Sequence, residues 1–430
     1  MNDIGHTLRP SIVRLAVASS IGTTLEWYDF TVYNVMAAVV FNVVFFPSFD
    51  PLAGTLLAFS TYAVGYLSRP LGGVVFGHLG DRFGRRFVLV ATLLLMGIAT
   101  GLMGVLPTYK QWGVWSPMFL VLLRFVQGAA IGGEWAGAVL LSLEHGAAHQ
   151  RGRNASFAQM GPACGTILGT GVIAAITLSI SVATFESWGW RIPFWSSVGL
   201  VAFGLWLRRG VEETPTFVEL VSHHATAKAP IKEVFSQYGR PLLIAIGARV
   251  GPDVVYALLV VFTLTYVTTV LHLPRTLALT ATMIGAACHA VAIPWFGSLS
   301  DRIGRRPVYA AGTAISIPWA FAYFRLMGTG RPLLIGVAVA GGMTLHAMMY
   351  GPQAAFISEQ FPSRVRYAGA SLAYTLTGVV AGGFAPLIFA AIYKAYGSTM
   401  RVSLYVAAAL AVTLIALSHA HETAKVPLAK

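Results

Sequence analysis

Charged side chains are scarce in this chain: Asp, Glu, Lys and Arg together make up 10% of its 430 residues. An ordinary soluble domain carries about 25%. Apolar residues make up 56% of the chain, and a soluble protein of this composition would expose apolar patches large enough to drive aggregation. The scarcity of charge excludes an ordinary soluble protein and predicts a chain that lies in a lipid bilayer.

Cysteine is rarer still: the chain has two, Cys164 and Cys288. Both fall inside predicted membrane spans, so we expect reduced thiols that pack between helices, with no disulfide. The sequence also lacks metal-ligand spacings and glycine-rich loops of the kind that hold a nucleotide phosphate. It therefore predicts no metal, no cofactor and no use of ATP, which leaves an ion gradient, or none, as the energy source.

Long apolar runs fill most of the sequence and predict twelve membrane spans, since a spanning helix needs about 20 mostly apolar residues. A polar stretch divides the runs into two sets of six, which predicts a bundle over 1–208, a linker over 209–240 and a second bundle over 241–430. The spans are predicted at 15–45, 54–79, 87–107, 117–142, 154–180 and 190–208, then at 241–270, 276–299, 307–327, 332–358, 367–395 and 400–419.

The formal net charge of +13 does not indicate nucleic-acid binding, because the basic residues form short clusters between spans and no continuous face. Lys and Arg concentrate in cytoplasmic loops of membrane proteins. The clusters fall in alternate loops and at both ends of the chain, so we expect both termini in the cytoplasm and an even number of spans.

One polar phrase occurs twice, as GHLGDRFGRR at 77–86 and GSLSDRIGRR at 297–306, each time after the second span of a half. This indicates two bundles in parallel repeat. The arginines alone could serve to keep a loop in the cytoplasm, but the glycines predict close helix contact and turns with positive φ, and the acids can cap a neighbouring helix. We assign these residues to a gate: Gly77, Asp81, Arg82, Gly84, Arg85, Arg86, Gly297, Asp301, Arg302, Gly304, Arg305 and Arg306.

These two loops resemble the signature loops of the major facilitator superfamily, and six further motifs resemble its metabolite:proton symporters. The resemblance implies an all-α fold of twelve transmembrane helices in two six-helix bundles, a bacterial inner membrane, and a substrate like shikimate, oxoglutarate, citrate, proline or betaine. The motifs are TLEWYDFTVYN (Thr24–Asn34), YLSRPLGG (Tyr66–Gly73), LRFVQGAAIGGEWAGA (Leu123–Ala138), WGWRIPF (Trp188–Phe194), EETPTF (Glu212–Phe217) and YGPQAAFISEQFPSRVRYAGAS (Tyr350–Ser371).

An ionisable residue inside a membrane span costs free energy, so each one is expected to have a structural or functional role. Glu26 and Asp29 lie one helical turn apart, and two carboxylates so close cannot both ionise cheaply, which suits a proton carrier; they can equally be structural caps. The resemblance links Arg124 to proton transfer, although a permanent buried ion pair is the alternative. Glu134, among packing glycines, can be structural or functional, and Asp253 is a second candidate proton site.

Arg249, Asp253 and Tyr256 share one face of the seventh span, with Gly251 and Pro252 able to open its backbone. Arg249 is the first candidate for binding an anion, and Asp253 would neutralise it in the empty site. Arg69 either faces the cavity or extends toward the cytoplasm, and lone histidines and aromatics more often only pack. The candidate substrate residues are Arg69, Arg124, Arg249, Tyr28, Tyr33, Gln127, Gln159, Tyr256, His346, Tyr350, Gln353 and Tyr374.

The sequence thus predicts a transporter, not an enzyme, that works as a single chain in the bilayer and imports a small organic anion together with a proton. The three arginines favour an anion, but the four acids keep a zwitterionic compatible solute open. An uncoupled facilitator or exporter of the same fold is a further alternative. No nucleic-acid partner is expected.

Overall fold

The computed structural model describes residues 12–47, 61, 64–208 and 212–426. Within these ranges twelve helices follow one another at the places that the apolar runs predict. They are α1 (Ile12–Val39), α2 (Arg69–Phe83), α3 (Arg85–Val105), α4 (Trp115–His145), α5 (Arg151–Ser179), α6 (Ile192–Arg208), α7 (Gly239–Val270), α8 (Arg275–Ile303), α9 (Arg305–Met327), α10 (Pro332–Glu359), α11 (Ser363–Tyr396) and α12 (Thr399–Ser418). The start of the predicted second span, at 54–60 and 62–63, and the start of the linker at 209–211 lie outside the described residues.

Eight of the described helices are long and apolar enough to cross a membrane by length and composition: α3, α4, α5, α7, α8, α10, α11 and α12. Shorter helices lie between the long ones at Phe41–Val44, Tyr109–Trp112, Val182–Ser187, Pro215–Ser222 and Pro230–Gln237. The last two belong to the segment that joins α6 to α7. The fold is that of an all-α membrane protein with two bundles of six helices.

Within the first bundle α1 packs against α4, α5 and α6, and α3 packs against α4 and α6. The second bundle repeats this arrangement, with α7 against α11 and α12, and α10 against α8 and α9. The two bundles meet where α2 and α4 contact α11, and where α5 contacts α8 and α10. Residues on the inner faces of α1, α4, α5, α7, α10 and α11 therefore come together in the centre.

Glycine permits the closest crossings between the bundles, as the sequence predicts. A Cβ on Gly77 of α2 would lie 3.1 Å from Cα of Ala368 on α11. Its counterpart in the repeat, a Cβ on Gly297 of α8, would lie 2.7 Å from Cβ of Ser156 on α5. Larger side chains at these two positions would push the bundles apart.

Helix α7 stays continuous through Pro252, so the expected opening of its backbone at Gly251 and Pro252 does not occur. Proline has no N–H to donate to the carbonyl of Ala248, and the hydroxyl of Tyr309 on α9 donates to that carbonyl instead, at 2.7 Å. The irregular backbone lies further along, in π-helical turns at Leu258–Phe262 and Tyr266–Val270 of α7 and Gly378–Gly383 of α11.

Both repeated loops lie at one end of the molecule, which we call the basic end. Gly84 and Gly304 have φ of 106° and 123°, which glycine adopts most easily and which confirms the predicted turns. Glu213, after α6, accepts hydrogen bonds from the first N–H groups of α3, and Glu422, after α12, does the same for α9. The segment after each bundle is thus fixed to the basic end.

The two cysteines are free thiols, but only partly as expected. Cys164 is half-buried, whereas Cys288 is exposed on the outer face of α8 and does not pack in the core. Exposure on a membrane span means contact with lipid, which an apolar thiol tolerates well.

Candidate substrate and proton site

The first polar cluster lies within the N-terminal bundle around Asp29 of α1. Its two carboxylate oxygens accept hydrogen bonds from the hydroxyls of Ser197, at 2.6 Å, and Thr100, at 2.7 Å. Gln127 donates to the Thr100 hydroxyl at 2.7 Å, and Arg124 donates to the amide oxygen of Gln127. Arg124 therefore reaches Asp29 through two intervening side chains and does not pair with it directly.

The Arg124 guanidinium lies against aromatic rings, 4.2 Å from the centre of Phe30 and 4.1 Å from that of Tyr33. Tyr33 in turn hydrogen-bonds Thr61. Arg124 and Gln127 are both buried, so the predicted face of α4 does point inward. The hydroxyl partners Thr100 and Ser197 were not predicted, because isolated hydroxyl residues in apolar spans give no distinctive sequence pattern.

Glu26 lies on the same face of α1 and pairs with Arg69 of α2, at 3.5 Å between Oε1 and Nη2. Neither carboxylate oxygen of Glu26 has a hydrogen-bond partner among the described residues. Arg69 lies over the rings of Phe30 and Tyr66, 4.6 and 4.3 Å from their centres, and is buried. Of the two alternatives left open by the sequence, the interior placement of Arg69 is therefore the observed one.

Glu134 of α4 belongs to a separate, fully bonded group. Arg208 of α6 donates to it at 2.5 Å and to the carbonyl of Leu89 at 2.7 Å. The Thr92 hydroxyl donates to the second oxygen of Glu134 at 2.6 Å. A buried carboxylate with these partners fastens α3, α4 and α6 together, and the Arg208 partner was missed because it lies at the last turn of a predicted span.

The second bundle contributes the cation Arg249, whose guanidinium has an open edge, meaning an N–H donor without a partner among the described residues. The Nε of Arg249 donates to Asp253 at 2.9 Å, as the spacing along α7 predicts. The guanidinium lies 3.5 Å from the centre of the Tyr374 ring and 5.8 Å from that of Trp135. Its Nη1 is buried and has no hydrogen-bond partner among the described residues.

An aromatic platform backs this cation and joins the two bundles. Trp135 of α4 stacks on Tyr374 of α11, with ring centres 4.2 Å apart. The Trp135 N–H donates to Gln159 of α5 at 2.6 Å, and the Gln159 amide donates to the carbonyl of Tyr350 on α10 at 3.2 Å. The predicted residues Gln159, Tyr350 and Tyr374 therefore do meet at the centre.

Tyr256 of α7 also faces the interface between the bundles. Its ring meets Trp27 of α1 edge-on at 5.5 Å and lies 5.4 Å from the His346 ring. His346 hydrogen-bonds His289 of α8, with Nδ1 and Nε2 2.8 Å apart. No sequence pattern pairs these two histidines, because they are 57 positions apart on different helices.

Two of the predicted substrate residues are engaged elsewhere. The hydroxyl of Tyr28 lies 2.8 Å from both the carbonyl of Pro193 and the hydroxyl of Ser196 on α6. Gln353 donates to the hydroxyl of Tyr309 at 2.7 Å, next to the proline turn of α7. These bonds hold Tyr28 against α6 and Gln353 against α9.

At the basic end, Asp81 caps the first turn of α11 by accepting from the N–H groups of Tyr367 and Ala368, at 3.3 and 2.9 Å. Arg85 lies 3.4 Å from Asp81 and donates to the carbonyl of Ser363 at 3.0 Å. Glu144 lies 3.6 Å from Arg85 and 3.2 Å from Arg366. This network joins the first bundle to the second.

The repeat supplies a matching network on the other side. Asp301 accepts from the N–H groups of Gly152 and Arg153 at the start of α5, at 2.8 and 2.9 Å. Arg305 lies 2.7 Å from Asp301 and 3.4 Å from Glu359, which also pairs with Arg151 at 3.2 Å. The two acids outside the repeated phrase, Glu144 and Glu359, were missed because each lies at the end of a span.

The remaining arginines of the two phrases do not share in these networks. Arg82 and Arg302 are exposed, and the Arg82 guanidinium contacts His78, 3.4 Å away. Arg86 and Arg306 contribute their backbone N–H groups to Glu213 and Glu422. Of the twelve residues that the sequence assigned to a gate, Asp81, Arg85, Asp301 and Arg305 form the two networks, and the glycines form the close crossings and the turns.

Comparison with known proteins places these features in a family. The family model for sugar (and other) transporters matches residues 15–234 and again residues 219–430. The shikimate transporter of Escherichia coli K12 is 39% identical over 92% of this chain and 91% of its own. The inner membrane metabolite transport protein YhjE of the same organism is 37% identical over 95% and 94%.

A third relative, the proline/betaine transporter of Escherichia coli K12, is 34% identical over 96% of this chain and 84% of its own length. Among solved structures, the proton:xylose symporter XylE bound to 6-bromo-6-deoxy-D-glucose superimposes with a TM-score of 0.78. That likeness covers 96% of both chains at 19% identity.

Proposed function

This chain belongs to the sugar (and other) transporters of the major facilitator superfamily, and from that premise we propose that it imports a small organic acid together with protons. The chain is a multi-pass membrane transporter and not an enzyme. The proposed cycle is alternating access, in which the two bundles rock about a central site. Shikimate-like acids, di- and tricarboxylates and aromatic carboxylates are the proposed substrate class.

The observation that carries this proposal is the open edge of Arg249. A guanidinium binds a carboxylate through two parallel N–H donors, and here Asp253 and Tyr374 hold the group in place while Nη1 has no partner among the described residues. A substrate carboxylate would satisfy that donor. The stacked pair of Trp135 and Tyr374 beside it offers an apolar face for the ring or chain of the acid.

Protons would be carried by Glu26 and Asp29 in the first bundle. Asp29 is connected to Arg124 through Thr100 and Gln127, so a proton on Asp29 would rearrange that chain. Glu26 faces Arg69, and a proton on Glu26 would release Arg69 toward the centre. We assign Glu134 to structure, since Arg208 and Thr92 satisfy it.

The two networks at the basic end would serve as the gate. Each joins one bundle to the start of a helix in the other, through Asp81 and Asp301. We propose that both networks are intact while the basic end is closed and that both break when the site opens there. Because Lys and Arg concentrate in cytoplasmic loops, we place the basic end and both termini in the cytoplasm, with the protein in a bacterial inner membrane.

We further propose that residues 1–208 and 241–430 move as the two bodies, joined by a linker at 209–240. The linker helix Pro230–Gln237 carries Glu233, which lies 2.6 Å from Arg364 in the second bundle. A single chain contains the whole proposed site, so we propose a functional monomer.

One observation favours a second candidate, a zwitterionic compatible solute such as proline or betaine. The centre holds Glu26 from one bundle and Arg249 from the other, and both act electrostatically on Tyr374 between them. An ammonium group at Glu26 and a carboxylate at Arg249 would pair with both. The 34% identity to a proline/betaine transporter supports the same alternative.

The test is a thermal-shift panel on purified protein with shikimate, citrate, 2-oxoglutarate, proline, glycine betaine and xylose at pH 5.5 and 7.5. A ligand that binds the folded state raises its melting temperature. A larger shift with an acid at pH 5.5, followed by pH-driven uptake into proteoliposomes, would support the proposal. A shift with proline or betaine alone would favour the second candidate, and a pH-independent shift with xylose alone would refute both.

A further inference from the structure

Two histidines near the centre take no part in the function proposed above. His289 of α8 and His346 of α10 are both buried, each with about 1% of its surface exposed. Their Nε2 and Nδ1 atoms lie 2.8 Å apart, at hydrogen-bond distance. A direct hydrogen bond between two imidazoles requires that one ring donates and the other accepts.

The number of protons on the pair follows from this bond. Each neutral imidazole carries one N–H, and one of the two N–H groups lies between the rings, where it joins Nε2 of His289 to Nδ1 of His346. The second proton lies on one of the two outer nitrogens, Nδ1 of His289 or Nε2 of His346. The other outer nitrogen is a base without a proton.

A proton at that nitrogen would create a cation spread over two hydrogen-bonded rings. Such charge-assisted bonds are shorter and stronger than neutral ones. The ring of Tyr350 lies 5.0 Å from that of His346 and 5.9 Å from that of His289, and Tyr256 lies 5.4 and 6.2 Å away. These two tyrosine rings pack against the histidine pair. Because tyrosine is not a base, a proton that enters this cluster would bind to an imidazole nitrogen.

The charged groups nearest to this pair come from α7. Arg249 and Asp253 form an ion pair there and cancel each other's charge. Tyr374 of α11 contacts Arg249, and Glu26 and Arg69 of the first bundle act electrostatically on Tyr374. A carboxylate bound at Arg249 would give this half of the site a net charge of −1, and one proton on the histidine pair would bring it back to zero.

We propose that the His289–His346 pair is a proton-binding site that fills when an organic anion binds at Arg249. Anion and proton then favour each other's binding by the same factor, as thermodynamic linkage requires. The second bundle would thus supply a coupling proton of its own, in addition to the carboxylates of the first bundle. This inference rests on the proposed function, because it needs an anionic substrate at Arg249.

The experiment counts protons taken up per bound acid, in weakly buffered solution near pH 6, with a pH dye. The probe is shikimate, or citrate or 2-oxoglutarate if it gives the larger thermal shift. Proton uptake is normalised to bound ligand, so a change in affinity does not affect the count. The variants are His289→Gln and His346→Gln, and His223→Gln in the exposed linker is the control.

We expect about one proton fewer per bound acid in both pair variants than in the wild type and the control. An unchanged count in folded pair variants would overturn the histidine site and leave the proposed function standing. A wild type that binds none of the acids would refute the proposed function itself, and the histidine site with it.

If the variants do not fold, the wild type still tests the site through ¹⁵N-histidine solid-state NMR. Without ligand, we expect both rings to be neutral, with one protonated nitrogen on each ring. With saturating acid at pH 5.5, one imidazolium signal should appear, with a coupling across the N–H–N bond. A pair that stays neutral under these conditions would overturn the inference.

Discussion

Arg249 is the residue on which the proposed anion site depends. Asp253 satisfies its Nε, Tyr374 covers one face of the guanidinium, and Nη1 remains without a partner among the described residues. An unsatisfied buried donor costs free energy, and an anionic ligand would remove that cost. An unpartnered buried donor of this kind is what the proposed anion site requires.

We expect Arg249→Ala to weaken acid binding about tenfold or more, because a hydrogen bond to a charged group contributes about 1.5–3 kcal/mol. Arg249→Lys should recover only part of the loss, since an ammonium lacks the planar pair of donors. Arg275→Ala, at an exposed arginine, serves as the control. Thermal shifts and direct binding of shikimate provide the measurement, and equal affinity in all four proteins would exclude Arg249 from the site.

Substitution of Glu26 or Asp29 is expected to affect proton coupling more than substrate binding. Glu26→Gln and Asp29→Asn keep the size of the side chain but cannot exchange a proton. Uphill accumulation driven by a pH gradient should therefore be lost, while exchange of labelled for unlabelled acid continues. Glu186→Gln, at an exposed acid, should behave as wild type. Normal accumulation in both variants would remove these two carboxylates from the coupling mechanism.

At the scale of the helix, Pro252 leaves the Ala248 carbonyl without its usual partner, and Tyr309 replaces the missing donor. Tyr309 in turn accepts from Gln353. The proline turn of α7 is therefore stabilised from α9 and α10 and does not open by itself. This arrangement keeps α7 rigid where it holds Arg249, and leaves the irregular turns to the far half of α7.

We expect Tyr309→Phe to lower the stability by about 1–3 kcal/mol, because a buried carbonyl loses its hydrogen bond. The melting temperature of the purified protein should fall by a few degrees. Tyr396→Phe removes a hydroxyl from an exposed tyrosine at the end of α11 and should leave it unchanged. Equal melting temperatures for the two variants would show that water or another side chain satisfies the Ala248 carbonyl.

The caps at the basic end act between elements, so their removal should affect rate more than affinity. In Asp81→Asn and Asp301→Asn the one remaining oxygen can still accept from one of the two helix N–H groups, but the side chain no longer carries charge for Arg85 or Arg305. We expect slower turnover in both, with substrate affinity within about threefold of wild type, since neither residue touches the central site. A loss of affinity without a change in turnover would contradict a gating role.

At the scale of the whole molecule, two matching networks hold the bundles together at the basic end. Each has an aspartate that caps a helix of the other bundle, an arginine on the next helix and a glutamate between two arginines. The repeat in the sequence is thus a repeat of interactions. In the proposed cycle, opening of the basic end would require both networks to break together, which suits an all-or-none switch.

Glu144 and Glu359 each lie between two arginines of one network. Replacing both, with Glu144→Gln and Glu359→Gln, should raise the fraction of molecules in which the basic end is open. Spin labels at exposed Arg82 and Arg302, in a background with both cysteines replaced by alanine, would report the separation of the bundles. We expect longer distances in the double variant than in the parent, with each single variant in between. Identical distance distributions would mean that glycine packing alone keeps this end closed.

The sequence by itself determined that the chain lies in a lipid bilayer. It also determined the number and order of the helices, the repeat, and the turns at Gly84 and Gly304. These depend on local properties: apolar length, charge content and the steric freedom of glycine. It also placed Glu26, Arg124, Arg249 and Tyr374 on inward faces, because ionisable and polar residues in a bilayer avoid lipid.

Only the tertiary structure decided which side chains meet. The Asp29 chain through Thr100 and Gln127, the pair of Glu134 and Arg208, the histidine pair and the acids Glu144 and Glu359 all join helices far apart in sequence. The continuous backbone at Pro252 likewise depends on Tyr309 from another helix. A sequence fixes the face that each residue presents, whereas its partner depends on how the helices cross, which only packing decides.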